Sequence, residues 1–331
     1  MMRTREVRGL PLTELGLGMA QLGNLYRETT DEEARSAIDA SWDAGVRLFD
    51  TAPHYGLGLS EERAGRILGE RPRDEFVLST KVGRVLVPNP DGAGALDDEG
   101  FAVPATRRRV RDHSRDGVRR SIDASLGRLG LDRIDIAYLH DPEEGSEASA
   151  LDEALPALAE LRDEGVLGAI GVGTKDAGSA ARLTAGADLD LVMIAGRYTL
   201  LDASAEAELF PAAARAGTAI VAVGAYNSGI LGRERPGADG RYEYGSAPAD
   251  LVDRARRIAD VCEAHGTTLP AAAIAFCLRH PLVVSVVLGA RNGAQARANA
   301  ERHAAGVPDD LWTELDERGL LPDAENQEAP A

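Results

Sequence analysis

Asp50 closes an apolar, β-favouring run at residues 46–49, and Tyr55 stands five positions later in a loop punctuated by Pro53, Gly56 and Gly58. A carboxylate at a strand end with a phenol just beyond it is what α/β folds present at the carboxyl ends of buried strands, where their chemistry sits. Taken alone, the pair fits a turn cap packed under a tyrosine equally well. Two further strand ends change the balance: Lys81 in FVLSTKV and His140 at the end of IDIAYLH. Acid, phenol, amine and imidazole gathered at one place form a proton-transfer set. A phenol with a pKa of about 10 is a poor proton donor at neutral pH, and an adjacent ammonium favours the phenolate and lowers that value. Asp50 would hold Lys81, a neutral His140 would position a substrate oxygen, and Tyr55 would act as general acid or base according to direction. Lys81 and Lys175 are the only lysines among 37 basic residues. An amine, unlike a guanidinium, can have its pKa tuned by burial.

The four residues meet only if the segments that carry them lie side by side. In chain order, a short amphipathic hairpin is expected over residues 3–12 with its turn at Gly9, then a first strand at 15–18. Thr30 caps a helix that carries Ile38 and Trp42 on its apolar face and ends at Gly45. Strand two follows at 47–50, a helix opens at Ser60 and closes at Gly69, and strand three covers 76–82. Residues 83–113 then read as a long irregular segment, with the three arginines at 107–109 as a solvated loop face. Ser114 begins a helix with Val118, Ile122, Leu126 and Leu129 on one side, and strand four runs over 134–139 to His140. Helix at 151–163, strand at 166–172, helix at 176–183 and strand at 191–194 follow. Asp202 caps a helix that ends at Ala216, and strand seven spans 218–223. A second long loop, 224–248, leads to helices at 249–265 and 270–280, strand eight at 283–288 and a helix at 294–304. Eight βα units imply an α/β protein with a parallel sheet closed into a (β/α)8 TIM barrel, carrying an N-terminal β-hairpin and long loops after strands three and seven. An open doubly wound sheet is the alternative, weakened because no GxGxxG follows the first strand. Residues 1–321 are expected to form one domain and 322–331 a disordered tail.

Composition narrows the function. At 331 residues the chain suits a single barrel. It lacks a long apolar run, and its polar N-terminus, MMRTREVRGL, does not read as a signal peptide, so a soluble cytoplasmic protein is expected. The net charge of −17 opposes nucleic-acid and membrane partners and leaves a small molecule as the substrate. Cys262 and Cys277 show no CxxC spacing and read as packed apolar groups. His54 reads as a loop residue bordering the pocket, and His113, His265, His280 and His303 lack ligand-like spacing, so no metal is assigned. Trp42 and Trp312 read as core or docking residues, and the tail from Ala304 as a segment able to fold over the barrel mouth.

On FDTAPHY, STKVG and LHDP, four separated segments in order at successive strand ends, the sequence resembles an aldo-keto reductase over nearly its whole length. The resemblance implies a barrel that binds NAD or NADP without a Rossmann fold, with Asp50, Tyr55, Lys81 and His140 as its catalytic residues. SRDGVRRSIDASLGRLGLDRIDIAYLHDP, AGRYTLLD at 195–202 and NSGILG at 227–232 resemble more narrowly the D-threo-aldose 1-dehydrogenase branch, which includes L-fucose dehydrogenases and is close to pyridoxal 4-dehydrogenases. That implies oxidation of the anomeric hydroxyl of a pyranose to a lactone, with tyrosinate taking the hydroxyl proton.

The resemblance also maps a cofactor site. VVSVVLGARNGAQARANA, 283–300, places Gly289, Ala290, Arg291, Gln295 and Asn299 at cofactor-contacting positions, where a helix N-terminus could receive phosphate. Gly18, Thr174, Lys175, Ser228, Gly229 and Leu231 complete the implied set. Many NADP-preferring members carry lysine where this chain has Gly289 and arginine where it has Gln295. Arg291 is then the only nearby cation, and NAD is favoured slightly. The usual Ser-Asn after strand five is replaced around Thr174 and Lys175, and the usual strand-six glutamine aligns with Ala195. Expected partners are a sugar or aldehyde substrate and, at most, a few copies of the same chain. A pyridoxal dehydrogenase, a general carbonyl reductase, a cofactor-binding regulatory barrel and a redox-free lyase or isomerase stay open at this stage.

Overall fold

The computed structural model describes residues 2–92, 94–243 and 245–322. The expected tail therefore lies, beyond Pro322, outside the described residues. Parallel strands close into a barrel: β1 (Leu15–Gly18), β2 (Leu48–Asp50), β3 (Val77–Val82), β4 (Ile136–His140), β5 (Ala169–Thr174), β6 (Leu191–Ala195), β7 (Ala219–Val223) and β8 (Val283–Gly289). Each pairs with the next, and β8 returns to β1 with Gly289 opposite Gly18. Around it run α1 (Asp31–Asp43), α2 (Leu59–Leu68), α3 (Arg115–Leu129), α4 (Leu155–Asp163), α5 (Ala177–Gly186), α6 (Leu209–Ala216), α7 (Ala249–Ala264), α8 (Leu269–Cys277), α9 (Gly293–Ala305) and α10 (Asp309–Glu317). The open doubly wound alternative is excluded by the closure.

Local chemistry sets several of these boundaries. Thr30 starts α1 through a capping box: its side chain accepts from Glu33 N–H while the Glu33 carboxylate accepts from Thr30 N–H. Such a cap contributes about 1 kcal/mol. Strand periodicity divides the core into two layers. Leu48, Val77, Ile136 and Tyr138 fill the barrel interior, whose amino end is plugged by Val7 and Leu12 of the hairpin Thr4–Val7/Leu10–Thr13. Phe49, Leu78, Ala137 and Leu139 face outward into the larger cluster between strands and helices.

Several boundaries differ from the sequence expectation. Residues 83–113 are not irregular throughout: Arg84–Pro88 pairs antiparallel with Arg107–Arg111, since the valine-rich RVLVP run supplies a β-former opposite RRRVR. Helix α2 begins at Leu59 with Gly58 as its N-cap, and Ser60 does not cap it; Ser60 Oγ donates to Met19 O and lies 2.8 Å from Thr51 Oγ1, tying two loops together. β5 lies later than 166–172 because Gly165 is left-handed and Val166 remains in the exposed turn. Ahead of α4 the chain makes a π turn, Ala150–Ala154, and Pro156 lacks the N–H that a regular ladder would use there. Asp202 does not cap a helix: it accepts from Ser204 N–H and Oγ–H ahead of the short turn Ser204–Glu206, whose N-cap is Ala203. After β7, the long loop contains a 3-10 run, Asn227–Gly232, and a two-residue pairing of Arg241–Tyr242 with Gly245–Ser246. Helix α10 packs along α7 on the barrel's outside, with Trp312 against Phe276, instead of folding over the mouth. Among the described residues no helix is long and apolar enough to cross a membrane.

Candidate active site

Asp50, Lys81 and His140 end or nearly end three adjacent strands and project to the inner side, so neighbouring register brings them together. Lys81 Nζ donates to Asp50 Oδ2 at 2.6 Å and to Thr51 O at 2.9 Å, while Asp50 Oδ1 accepts from Ser79 Oγ at 2.7 Å. Both members of the ion pair are buried. The Tyr55 ring lies with its centroid 4.7 Å from Lys81 Nζ and stands perpendicular to His140, centroids 6.1 Å apart. The sequence-expected set is therefore one cluster.

Tyr55 is held by backbone contact between two loops. A Cβ at Gly23 would fall 2.5 Å from the Tyr55 carbonyl carbon, and one at Gly56, where φ is 65°, would fall 2.2 Å from the Gly23 oxygen. Only glycine permits that approach. Phe101 and Leu57 pack beside the Tyr55 ring, and Arg109, folded back by the hairpin, donates to His54 O. Gly23→Ala should displace Tyr55 and lower kcat by about tenfold to a hundredfold, since small misplacements of a reacting group are costly. Steady-state kinetics checks this; wild-type kcat would show that the contact does not set the tyrosine's position.

The electrostatics revise one expectation. Burial opposes the charge on Lys81, but Asp50 and Tyr55 outweigh it and raise its pKa, so it is an ammonium throughout the neutral range. The Tyr55 phenol is not lowered overall. Burial raises its pKa by more than Lys81 lowers it, so it stands protonated in this structure at neutral pH. His140 is held neutral by burial and by the neighbouring cations Lys81, Arg84 and Arg109. His54 is neutral from burial first and then from His140 and the same cations.

Sequence reasoning missed Arg84 and Asp141. Arg84 is buried just past β3 and donates to Asp141 Oδ2 at 2.5 Å and Glu144 Oε2 at 2.9 Å, with Glu99 Oε2 and His54 Nδ1 each 3.4 Å away. Asp141 follows His140 directly, and its Oδ2 lies 3.5 Å from His140 Nε2. Their signal was position alone, one or two residues past a strand end. The three arginines at 107–109 are not a uniform solvated face, either. Arg109 is buried against Asp97, and Arg107 binds Leu57 O and Glu62.

The expected cofactor positions fare unevenly. Gly18 and Gly289 are register partners at the mouth, and Asn299 donates to Gly289 O and accepts from Tyr226 OH. Ser228 (φ 57°) and Gly229 (φ 100°) line a pocket of about 420 Å³ with Arg233 and Arg241. Ala290 and Leu231 are buried, leaving mainly backbone to offer. Thr174 Oγ1 is committed to Glu143 and Asp176 N–H, and Lys175 is exposed, so neither presents a free donor held over the pocket. Arg291 is already engaged. Its guanidinium donates to Leu25 O, Arg27 O and Thr29 Oγ1, and its N–H to Gln295 Oε1, so it braces the β1 loop instead of standing open to a phosphate. Gln21 Oε1 and Asn227 Oδ1 are buried acceptors with no hydrogen-bond partner among the described residues. Amide and ribose donors of a nicotinamide dinucleotide would satisfy such groups, and the residues present fit it. No group of three or more His, Cys, Asp and Glu among the described residues could hold a metal.

Residues 14–318 match the Aldo/keto reductase family. A D-threo-aldose 1-dehydrogenase of a Pseudomonas species is 51% identical over 316 residues, 95% of this chain and 96% of that one. A pyridoxal 4-dehydrogenase of Microbacterium luteolum is 38% identical over 329 residues, again 95% and 96%. Among solved structures, an aldo-keto reductase from Bacillus halodurans in its holo form is similar with a TM-score of 0.75 at 26% identity, covering 98% of this chain and 97% of that one.

Proposed function

This chain belongs to the aldo/keto reductase family, an oxidoreductase that works with NAD or NADP, and we propose that it oxidises the anomeric carbon of an L-fucose-type or D-threo aldose to a lactone. When bound, the nicotinamide supplies the hydride acceptor. Gly18, Ser228, Gly229, Gly289 and Asn299, with Gln21 and Asn227, would hold the dinucleotide. Tyr55 takes the proton of the anomeric hydroxyl, and Lys81, fixed by Asp50, stabilises the phenolate on its inner side. His140, neutral, hydrogen-bonds the same substrate oxygen. In the reducing direction the protonated phenol donates instead.

One observation carries the choice of substrate: the proton-transfer set opens onto a rim where Glu99, Asp141 and Glu144 surround Arg84. With the guanidinium groups of Arg84, Arg109 and Arg111 already paired to these carboxylates, such a rim suits the hydroxyl donors of a neutral polyol better than a phosphate or carboxylate. The 51% identity to a D-threo-aldose 1-dehydrogenase supports the same reading, and the 38% identity to a pyridoxal 4-dehydrogenase keeps pyridoxal as the competing substrate. Initial rates with L-fucose, D-arabinose, L-galactose and pyridoxal, each with NAD⁺ and NADP⁺, decide between them. Turnover of an aldose above pyridoxal is expected; cofactor binding without turnover of any of them would point to a regulatory barrel.

NAD⁺ should be accepted at least as well as NADP⁺. Tight recognition of a 2′-phosphate calls for several charge-assisted contacts. Arg291 is engaged by backbone carbonyls, Arg233 by Asp239 and Arg235 by Asp260. A remaining exposed ion pair would contribute about 1 kcal/mol, less than a tenfold preference. The ratio of kcat/KM for the two cofactors with one good sugar checks this. An NADP⁺ preference above about tenfold that disappears in Arg291→Ala would refute it.

A further inference from the structure

We infer that Asp141, anchored by Arg84, is a specificity-determining group that accepts a hydrogen bond from a second hydroxyl of the substrate, on the carbon next to the anomeric centre. The inference rests on the aldose reading above and deepens it.

Residue 141 leaves β4 in a left-handed conformation, φ 43°, with its N–H donating to Gly173 O. That turn sets the carboxylate beside the reacting centre, with Oδ2 3.5 Å from His140 Nε2. The same Oδ2 takes the 2.5 Å hydrogen bond from Arg84. Arg84 is itself buried and gripped by Glu144, so the carboxylate is fixed by a charged partner that cannot readily swing away. Among the described residues no hydrogen bond reaches Oδ1. Asp141 is partly exposed, its side chain retaining 23% of its accessible surface, so Oδ1 is a pre-oriented acceptor open to a ligand.

If His140 engages the oxygen on the anomeric carbon, an acceptor this close is suited to the vicinal hydroxyl of the same ring. A sugar with that hydroxyl satisfies Oδ1, whereas a 2-deoxy sugar or a simple aldehyde leaves a partly desolvated carboxylate oxygen unpaired. Asp141 would therefore select polyhydroxylated aldoses, and Arg84 acts through it as a positioning residue.

The test compares kcat/KM for an aldose that the wild type oxidises with that for its 2-deoxy counterpart. The wild type should prefer the hydroxylated sugar by about tenfold or more, chiefly through KM, and Asp141→Ala should bring the ratio close to one. Binding of reduced nicotinamide dinucleotide, followed by fluorescence, shows that the variant is folded. Should Asp141→Ala fail to fold, Asp141→Asn keeps the shape and loses the charge, and its ratio should fall by at least about threefold. An unchanged ratio in a folded variant, or a wild type indifferent to the 2-hydroxyl, overturns the inference. Failure of the wild type to oxidise any aldose would instead overturn the aldose reading beneath it.

Discussion

Tyr55→Phe should leave nicotinamide dinucleotide binding close to wild type and lower kcat by at least about a hundredfold, the lower range for loss of a general acid or base. Removing one hydroxyl changes little else: the ring keeps its contacts with Phe101 and its place against His140. The direction of the pH dependence follows from the raised phenol pKa. Oxidation draws on the phenolate, whose fraction at neutral pH is small and grows with pH, so wild-type oxidation should climb through the alkaline range. Reduction draws on the protonated phenol and should stay level over the neutral range. Tyr55→Phe should abolish the alkaline rise. Fluorescence titration and initial rates in both directions check this, and turnover near wild type would remove Tyr55 from the role.

Lys81→Met is expected to act on both stability and rate. It strands the buried Asp50 carboxylate with Ser79 Oγ as its remaining hydrogen-bond donor, and breaking a buried pair by removing one partner costs about 3–5 kcal/mol. The folded-state pKa of Lys81 is raised, so its stabilisation is complete below the unfolded value of about 10.4 and is lost as pH rises through the folded one. Across the neutral range, therefore, the variant's deficit should hardly vary with pH. The rate effect differs: without the ammonium, burial acts on Tyr55 unopposed, its pKa rises further, and the pH optimum for oxidation moves upward. The double variant Asp50→Asn with Lys81→Met should recover part of the stability loss, because it removes both charges together. Denaturant unfolding and pH–rate profiles measure the two effects, and an unchanged profile would show that Lys81 does not tune the phenol.

Strand ends were the most legible feature of the sequence. Asp50, Lys81 and His140 sit where apolar runs meet polar loops, and parallel pairing of successive strands turns that position into proximity. Contacts made by long side chains across loops were not legible. Nothing local marks Arg84 as the partner of Asp141, 57 positions away, or Arg291 as the brace of carbonyls at Leu25 and Arg27, more than 260 positions back. The sign of the Tyr55 shift was missed for a related reason. Charge type is visible in a sequence, but the depth of burial that overrides Lys81 comes from Phe101, His140 and the folded-back hairpin. That hairpin was hidden because its strands flank proline- and glycine-rich residues at 88–104 that dominate the local pattern.

Incubation of the wild-type protein with NAD⁺ and an aldose deuterated at the anomeric carbon, followed by mass spectrometry of sugar product and cofactor, bears most directly on the proposed activity. Oxidation at the anomeric carbon predicts a lactone that has lost the deuterium and a reduced cofactor that has gained it, with neither formed at comparable rate by Tyr55→Phe. A sugar that keeps its label, or an oxidised product carrying deuterium at that carbon, would contradict it.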